Sequence, residues 1–375
     1  MTSDPSWMII AGEASGDQYG ARVIEQLRAR VPDAQFFGIG GDRMQEAGCE
    51  LLTHVRDTSV MGFVEVARNY RRLRQIFDRA RAALAERKPR ALLLIDYPGF
   101  NLRFARAVRA TGVRIVYYIS PQVWAWGRGR VAKMRPLVDH LAVVFPFEEA
   151  IFSREGIATT FVGHPLLELL PHVERAVFLS RAGLADTPIL ALLPGSRVQE
   201  IERMLPVMLD AADRIRARTS CTVAIGAASL DDAHYQRHIG TRRDVHLLRG
   251  MTHALMQHAR AAIVTSGTAT VETATYGTPL VIVYRASRLN YEIFRRLINV
   301  SHIGMPNILA DARIVPELVQ HDATAERISD AILPLMEEGP RRTQMLKDLA
   351  GVRARMGTPG AAARVAALLL GEASA

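Results

Sequence analysis

Cysteine is almost absent from this chain: Cys49 and Cys221 are the two in 375 residues. Two thiols so far apart make no disulfide framework and no metal-ligand spacing, and they fit a reducing cytoplasm. Aromatic residues make up only 6%, and the arginines are spread along the chain. That argues against a nucleic-acid-binding protein, in which basic residues interleave with aromatics along a groove. Lysine is scarcer still, since only Lys88, Lys133 and Lys347 contribute to the 47 basic residues. Such a bias reads as a habit of the genome rather than as a site. No apolar run approaches the ~18–20 residues of a membrane span. The start, MTSDPSWMII, has neither a basic n-region nor a long apolar h-region, so no signal peptide is expected. No internal repeat is present, which excludes a solenoid.

Apolar residues, at 49%, are ample for packed cores, and the formal net charge of +9 draws the protein toward anions of any kind. The length suggests two domains of roughly 150 residues each. Apolar, β-rich runs alternate with helical periodicity. WMIIAG at Trp7–Gly12 reads as a strand, and Tyr19, Val23, Ile24, Leu27 and Val31 then share one helical face. AQFFGIGG, ALLLID, RIVYYIS and HLAVVFP continue the series, and FVGHPLLE closes it. A second series follows with ILALLPGS, CTVAIGA, VHLLRG, AAIVTSG and PLVIVYR. The pattern predicts an α/β protein of two doubly wound parallel sheets, with a boundary near Gly163–Pro165. Ligands of such folds bind at the carboxyl edges of the strands, so a cleft between the domains is expected.

Three strand-to-helix turns carry chemistry. AGEASGD after the first strand offers backbone N–H groups to an anion or a hydroxyl. Asp17 reads equally as a helix cap, whereas a second acid, Glu13, needs another reason. GIGG at Gly38–Gly41 lacks dinucleotide spacing and reads as turn chemistry. LLPGSR opens the second series: Gly195 permits close approach, Ser196 can hydrogen-bond, and Arg197 brings a planar fork of donors suited to phosphate. TSGTATVE places Ser266, Gly267 and Thr268 at a helix N-terminus suited to a diphosphate. Glu272 reads either as a first-turn acid complementing the helix dipole or as an acceptor for ribose hydroxyls. Finally, Asp96 ends the apolar strand ALLLI with no structural need for a charge.

IIAGEASGD, VMGFVEV, DYPGFN, SPQVWAWGRGR, FVGHP, LLPGSR, TSGTATVE and GMPNILA occur in this order from about Ile9 to Ala310. Together they resemble the lipid-A-disaccharide synthase family, glycosyltransferases of the GT-B architecture with two Rossmann-like domains facing a cleft. The resemblance implies transfer from UDP-2,3-diacylglucosamine to 2,3-diacylglucosamine 1-phosphate through a β-1,6 bond, with inversion and release of UDP. It implies no cofactor and no metal, and no Asp-x-Asp cluster stands at a strand end. It assigns Asp96 as an essential carboxylate and candidate base, with Glu13, Ser15 and Asn101 lining the acceptor side. Gly195, Ser196, Arg197, Ser266, Gly267, Thr268, Glu272 and Asn307 would form the donor side, with Arg197 on the diphosphate. The domains expected are 1–164 for acceptor and membrane, 165–345 for UDP-sugar, and a helical segment 346–375 crossing back to the first domain or to a partner subunit. The family's homodimers, with C-terminal parts exchanged, and a place on the cytoplasmic face of a Gram-negative inner membrane are further expectations.

Lipid substrates call for a membrane-facing surface. Met61, Phe63, Val64 and Val66 form an apolar patch followed by Arg68, Arg71, Arg72 and Arg74, a pattern that can dip into anionic headgroups. The same pattern suits an ordinary amphipathic helix packed on the sheet. Trp124 and Trp126 beside Arg128 and Arg130 repeat the theme. Another UDP-sugar enzyme of the same fold, a 2-epimerase or a soluble transferase, would lack the patch. A non-catalytic membrane scaffold would leave Asp96 and Arg197 without a purpose.

Overall fold

The computed structural model describes residues 5–57, 70–121, 131–228, 230–242, 244–286 and 302–372. The chain divides into two compact units, Met1–Glu168 with Met356–Ala375, and Leu169–Arg355. Helix Pro340–Arg355, whose residues from 346 on the sequence reading groups with the C-terminal segment, therefore lies whole in the second unit.

In the first unit seven parallel strands, β1 (Ser6–Ala11), β2 (Gln35–Gly40), β3 (Cys49–His54), β4 (Ala91–Ile95), β5 (Arg114–Tyr118), β6 (His140–Val143) and β7 (Thr159–Phe161), lie in the order β3-β2-β1-β4-β5-β6-β7. In the second, β8 (Ile189–Leu193), β9 (Thr222–Ala227), β10 (Val245–Arg249), β11 (Ala261–Thr265), β12 (Leu280–Tyr284) and β13 (Glu317–Val319) lie in the order β10-β9-β8-β11-β12-β13. Central strands β4, β8 and β11 are buried from end to end, because helices cover both faces of a parallel sheet. That is why they read as unbroken apolar runs rather than as alternation.

Each sheet reverses its winding once. In the first the reversal lies between β1 and β4, where Ala11 is the register partner of Ile95. In the second it lies between β8 and β11, where Leu193 partners Val264. The loops after these four strands diverge to opposite faces and leave a crevice at each switch point. They are the loops that contain Glu13, Asp96, Ser196–Arg197 and Ser266–Gly267.

Helix α1 (Ala14–Arg30) buries Val23, Ile24 and Leu27, the face expected from its periodicity. The C-terminal helix Ala361–Leu370 packs against α1 within the first unit. FVGHPLLE anchors it. Glu168 accepts the N–H groups of Gly360 and Ala361, Arg364 donates to the Val162 carbonyl at 2.8 Å, and the His164 N–H reaches the Met356 carbonyl at 2.9 Å. His164 is half-buried against Phe145, and desolvation pushes its imidazole down to about 4, so it stays neutral. Among the described residues no helix is long and apolar enough to cross a membrane.

Candidate functional site

At the first switch point the chain leaves β4 in an unusual conformation. Asp96 and Tyr97 both have left-handed backbones, with φ of 46° and 49°. For residues with a Cβ this costs about 1–2 kcal/mol each, and such strain persists only where the surroundings dictate it. Here they do. The Asp96 N–H extends the ladder to the Tyr118 carbonyl at 2.9 Å. The Asp96 carbonyl accepts from Asn101 Nδ2 at 2.7 Å and from the Tyr117 hydroxyl at 2.6 Å. Pro98 opens helix α2 (Pro98–Val108), and the Tyr97 ring stacks on Phe100 with centroids 5.6 Å apart. On its other side that ring lies over Gly12, where an added Cβ would stand 2.2 Å from Cγ of Tyr97.

The Asp96 carboxyl is pushed up to about 6, first by burial and then by the charge of Glu13, against a lowering hydrogen bond from the Tyr97 N–H. Glu13 and Ser15 are exposed at the start of α1, and Glu13 makes no capping hydrogen bond there. The first unit thus brings two acids together at one strand edge. The environment raises the proton affinity of the half-buried one, Asp96, as a general base near neutrality requires. Asn101 is fully buried, and its amide ties down the Ile95 and Asp96 carbonyls. It holds the Asp96 backbone in place from within the core.

Asp17 is a cap, but not of its own helix. Its carboxylate accepts the N–H groups of Gly41 at 2.6 Å, Arg43 at 3.0 Å and Met44 at 3.0 Å, which open the short helix Asp42–Glu46. Gly12 gives a test of the strained turn. Gly12→Ala must displace the Tyr97 ring and with it Asp96; since a misplacement of about 1 Å can cost ~100-fold, turnover is expected to fall about that much. The crowding itself should cost about 1–3 kcal/mol of stability, so turnover is compared at a temperature where the variant is fully folded. Unchanged turnover would show that the Gly12–Tyr97 contact does not position Asp96.

At the second switch point, β8 runs through Pro194 and Gly195 into helix α3 (Val198–Arg216), with Arg197 at the N-cap. Gly195 has φ of 108°, open only to glycine without strain. Arg197 is exposed, and its Nη1 lies 3.1 Å from Glu200 Oε1. Glu200 Oε2 also accepts the Ser196 N–H at 2.9 Å and the Arg197 N–H at 3.3 Å. The donors expected for a phosphate thus converge on an anion, but the anion is the chain's own carboxylate.

The neighbouring helix α4 (Thr268–Thr275) begins differently. The N–H groups of Gly267, Thr268 and Ala269 have no acceptor among the described residues, and a Cβ on Gly267 would meet nothing within 4 Å. Thr270 caps locally, its hydroxyl donating to the Gly267 carbonyl at 2.7 Å. This terminus is open to an anion. Glu272 stands beyond the first turn, not within it as the dipole reading required. Its Oε1 lies 3.8 Å from His253 Nε2, and its charge, after burial, helps push the Tyr276 phenol up to about 12. His253, in the first turn of the helix Thr252–His258 that follows β10, is a polar neighbour that the sequence reading missed; its position in THALMQ after a strand is the one available signal.

Asn307 follows helix α4 in the second unit and is held from all sides. Its side chain is fully buried, and all four hydrogen-bonding positions are used. Nδ2 donates to Val315 O at 2.9 Å and Glu317 Oε1 at 2.8 Å, while Oδ1 accepts from Ile314 and Val315 at 2.8 and 2.9 Å. It clamps the chain after helix Met305–Ala310, with both its donors and both its acceptor positions engaged. Met61, Phe63, Val64, Val66 and Arg68, with Trp124, Trp126, Arg128 and Arg130, lie outside the described residues. Of the remaining arginines, Arg72 pairs with Asp57, and Arg74 lies 3.7 Å from Asp78. Among the described residues no three His, Cys, Asp or Glu side chains gather to hold a metal ion.

Comparison with known proteins places this geometry. A family model described as Lipid-A-disaccharide synthetase matches residues 7–357. The Lipid-A-disaccharide synthase of Myxococcus xanthus is 42% identical over 375 residues, covering 99% of this chain and 98% of that protein. That of Geobacter sulfurreducens is 41% identical over 368 residues, covering 97% and 96%. Among solved structures, UDP-GlcNAc 2-epimerase from Neisseria meningitidis bound to UDP-GlcNAc has a TM-score of 0.67 at 12% identity, covering 98% of this chain and 100% of that one. CalG4, the calicheamicin glycosyltransferase, has a TM-score of 0.62 at 15% identity, covering 99% of both chains. At such identities the structures share the fold alone.

Proposed function

The chain belongs to the lipid-A-disaccharide synthase family, and from that premise we propose how its two units divide the transfer. The substrates are UDP-2,3-diacylglucosamine and 2,3-diacylglucosamine 1-phosphate. The acceptor's primary hydroxyl attacks the anomeric carbon of the donor sugar, a new C–O bond forms, and the C–O bond to UDP breaks with its electron pair leaving on the diphosphate. Asp96 takes the hydroxyl proton as the new bond forms. Arg197 and the open start of α4 meet the growing charge on the diphosphate. The observation that carries this reading is the half-buried Asp96 on its strained turn, with its proton affinity raised toward neutrality. The epimerase alternative rests on fold alone, whereas relatives above 40% identity over the whole chain are disaccharide synthases.

Incubation with both lipid substrates should yield UDP and a disaccharide 1-phosphate in equal amounts, read by mass spectrometry. UDP-N-acetylglucosamine alone should be left unchanged. Epimerised UDP-sugar with no disaccharide would overturn the assignment.

Peripheral attachment at the cytoplasmic face, through the patch at Met61, Phe63, Val64 and Val66, belongs to the same proposal. Support comes from the acyl chains of the substrates and from the arginines that follow the patch. Replacing Phe63, Val64 and Val66 by Ser should weaken binding to anionic liposomes about tenfold or more, because each buried apolar side chain contributes ~1.5–3 kcal/mol. Unchanged flotation by a folded triple variant would mark the patch as core. A homodimer exchanging C-terminal helices would use, between copies, the face of α1 and the Glu168 cap that one chain uses for itself.

A further inference from the structure

The start of α3 is filled where the start of α4 is open, and the filling group is an acid. A residue three positions into a helix often caps it, so the plain reading of Glu200 is structural. The local sequence does not favour that reading. Only half of a capping box is made here: Glu200 accepts the N–H of the N-cap Arg197, whereas Arg197 has no acceptor to give in return, and no side-chain cap hydrogen bond is made from the N-cap itself. Ser196, the natural capping residue, stands one position too early. The N–H groups of Ser196 and Arg197 and the guanidinium of Arg197 all donate to the Glu200 carboxylate. A phosphate oxygen pair would claim the same three donors. Gly195 is fitted to the carboxylate as well as to its own φ, since an added Cβ would stand 2.4 Å from Glu200 Oε2. Glu200 reaches this position on a flexible side chain that is 23% exposed, so a route to solvent is open.

We infer that Glu200 is a built-in competitor of the substrate diphosphate. With the donor site empty, its carboxylate holds the three donors. It yields them as the diphosphate of the UDP-sugar arrives and reclaims them as UDP leaves. The cost is weaker nucleotide binding, and the gain is a preorganised loop and faster release of UDP, which carries one negative charge more than the UDP-sugar did. This inference rests on the donor-site reading above and deepens it.

Titration of UDP and of uridine into the full-length protein separates the possibilities. Glu200→Gln keeps an acceptor for the N–H groups but removes the charge. Charges at a helix start and exposed ion pairs each contribute at most about 1 kcal/mol, so UDP should bind about three- to tenfold more tightly to this variant. Uridine, which carries no phosphate, should bind as it does to the wild type. Glu200→Asp, too short to reach both N–H groups, should shift UDP in the same direction and serves if the first variant folds poorly. Equal or weaker UDP binding by both variants, with Arg197→Ala still weakening UDP, would overturn the competitor and leave the donor site standing. UDP binding that ignores Arg197→Ala as well would overturn both.

Discussion

Asp96→Asn is expected to abolish transfer and, at neutral pH, to raise the melting temperature. Catalysis falls because the amide keeps the shape of the side chain and cannot accept the proton; loss of a general base typically costs ~100–10,000-fold. Stability rises for the opposite reason. The folded protein holds the Asp96 carboxyl near 6, above its ordinary 3.8. Folding therefore favours the protonated form. The penalty is absent below about pH 4, develops as pH rises through 6, and is complete at pH 7.5. A shift of about two units corresponds to on the order of 2–3 kcal/mol. At roughly 2–4 °C per kcal/mol for a unit of this size, Asn should raise the melting temperature by several degrees at pH 7.5 and by almost nothing at pH 4. Substantial transfer by the variant would remove the base role. A much lower melting temperature would make Asp96 a structural acid.

Arg197→Ala is expected to lose about 100–1,000-fold in turnover, the usual cost of removing one charge-stabilising donor from the reacting centre. The side chain is 63% exposed and its pairing with Glu200 is a surface one, so folding should lose less than about 1 kcal/mol. The loss should fall more on kcat than on KM, because charge on the diphosphate is greatest as the bond breaks. Near-wild-type turnover would remove Arg197 from the donor site.

The two cores are legible in sequence because doubly covered strands such as Ala91–Ile95 and Ile189–Leu193 read as continuous apolar runs. Strand order is not legible there. Nothing in Trp7–Gly12 says that its neighbour is Ala91–Ile95, yet that pairing brings Gly12 and Glu13 beside Asp96. An acid closing an apolar strand is visible in sequence, whereas the left-handed turn that aims it is imposed by Tyr117, Asn101 and Gly12 from elsewhere in the chain. Glu200 is hidden for a local reason. Ser196 invites a capping pattern in the wrong frame, and the true N-cap is an arginine. Asn307 sits in a motif shared with the family, and a shared motif does not distinguish a ligand contact from a buried clamp.

The most direct measurement is the pH dependence of kcat/KM between pH 4.5 and 8 for the wild type and for Glu13→Gln. For the wild type the expected result is a rate that falls about tenfold per unit below a single break near pH 6, set by the carboxylate of the free enzyme. In Glu13→Gln the break should move to lower pH, because one cause of the raised Asp96 affinity is gone. A wild-type rate that stays flat to pH 5, or a break that ignores Glu13, would contradict the assignment of Asp96 as the base.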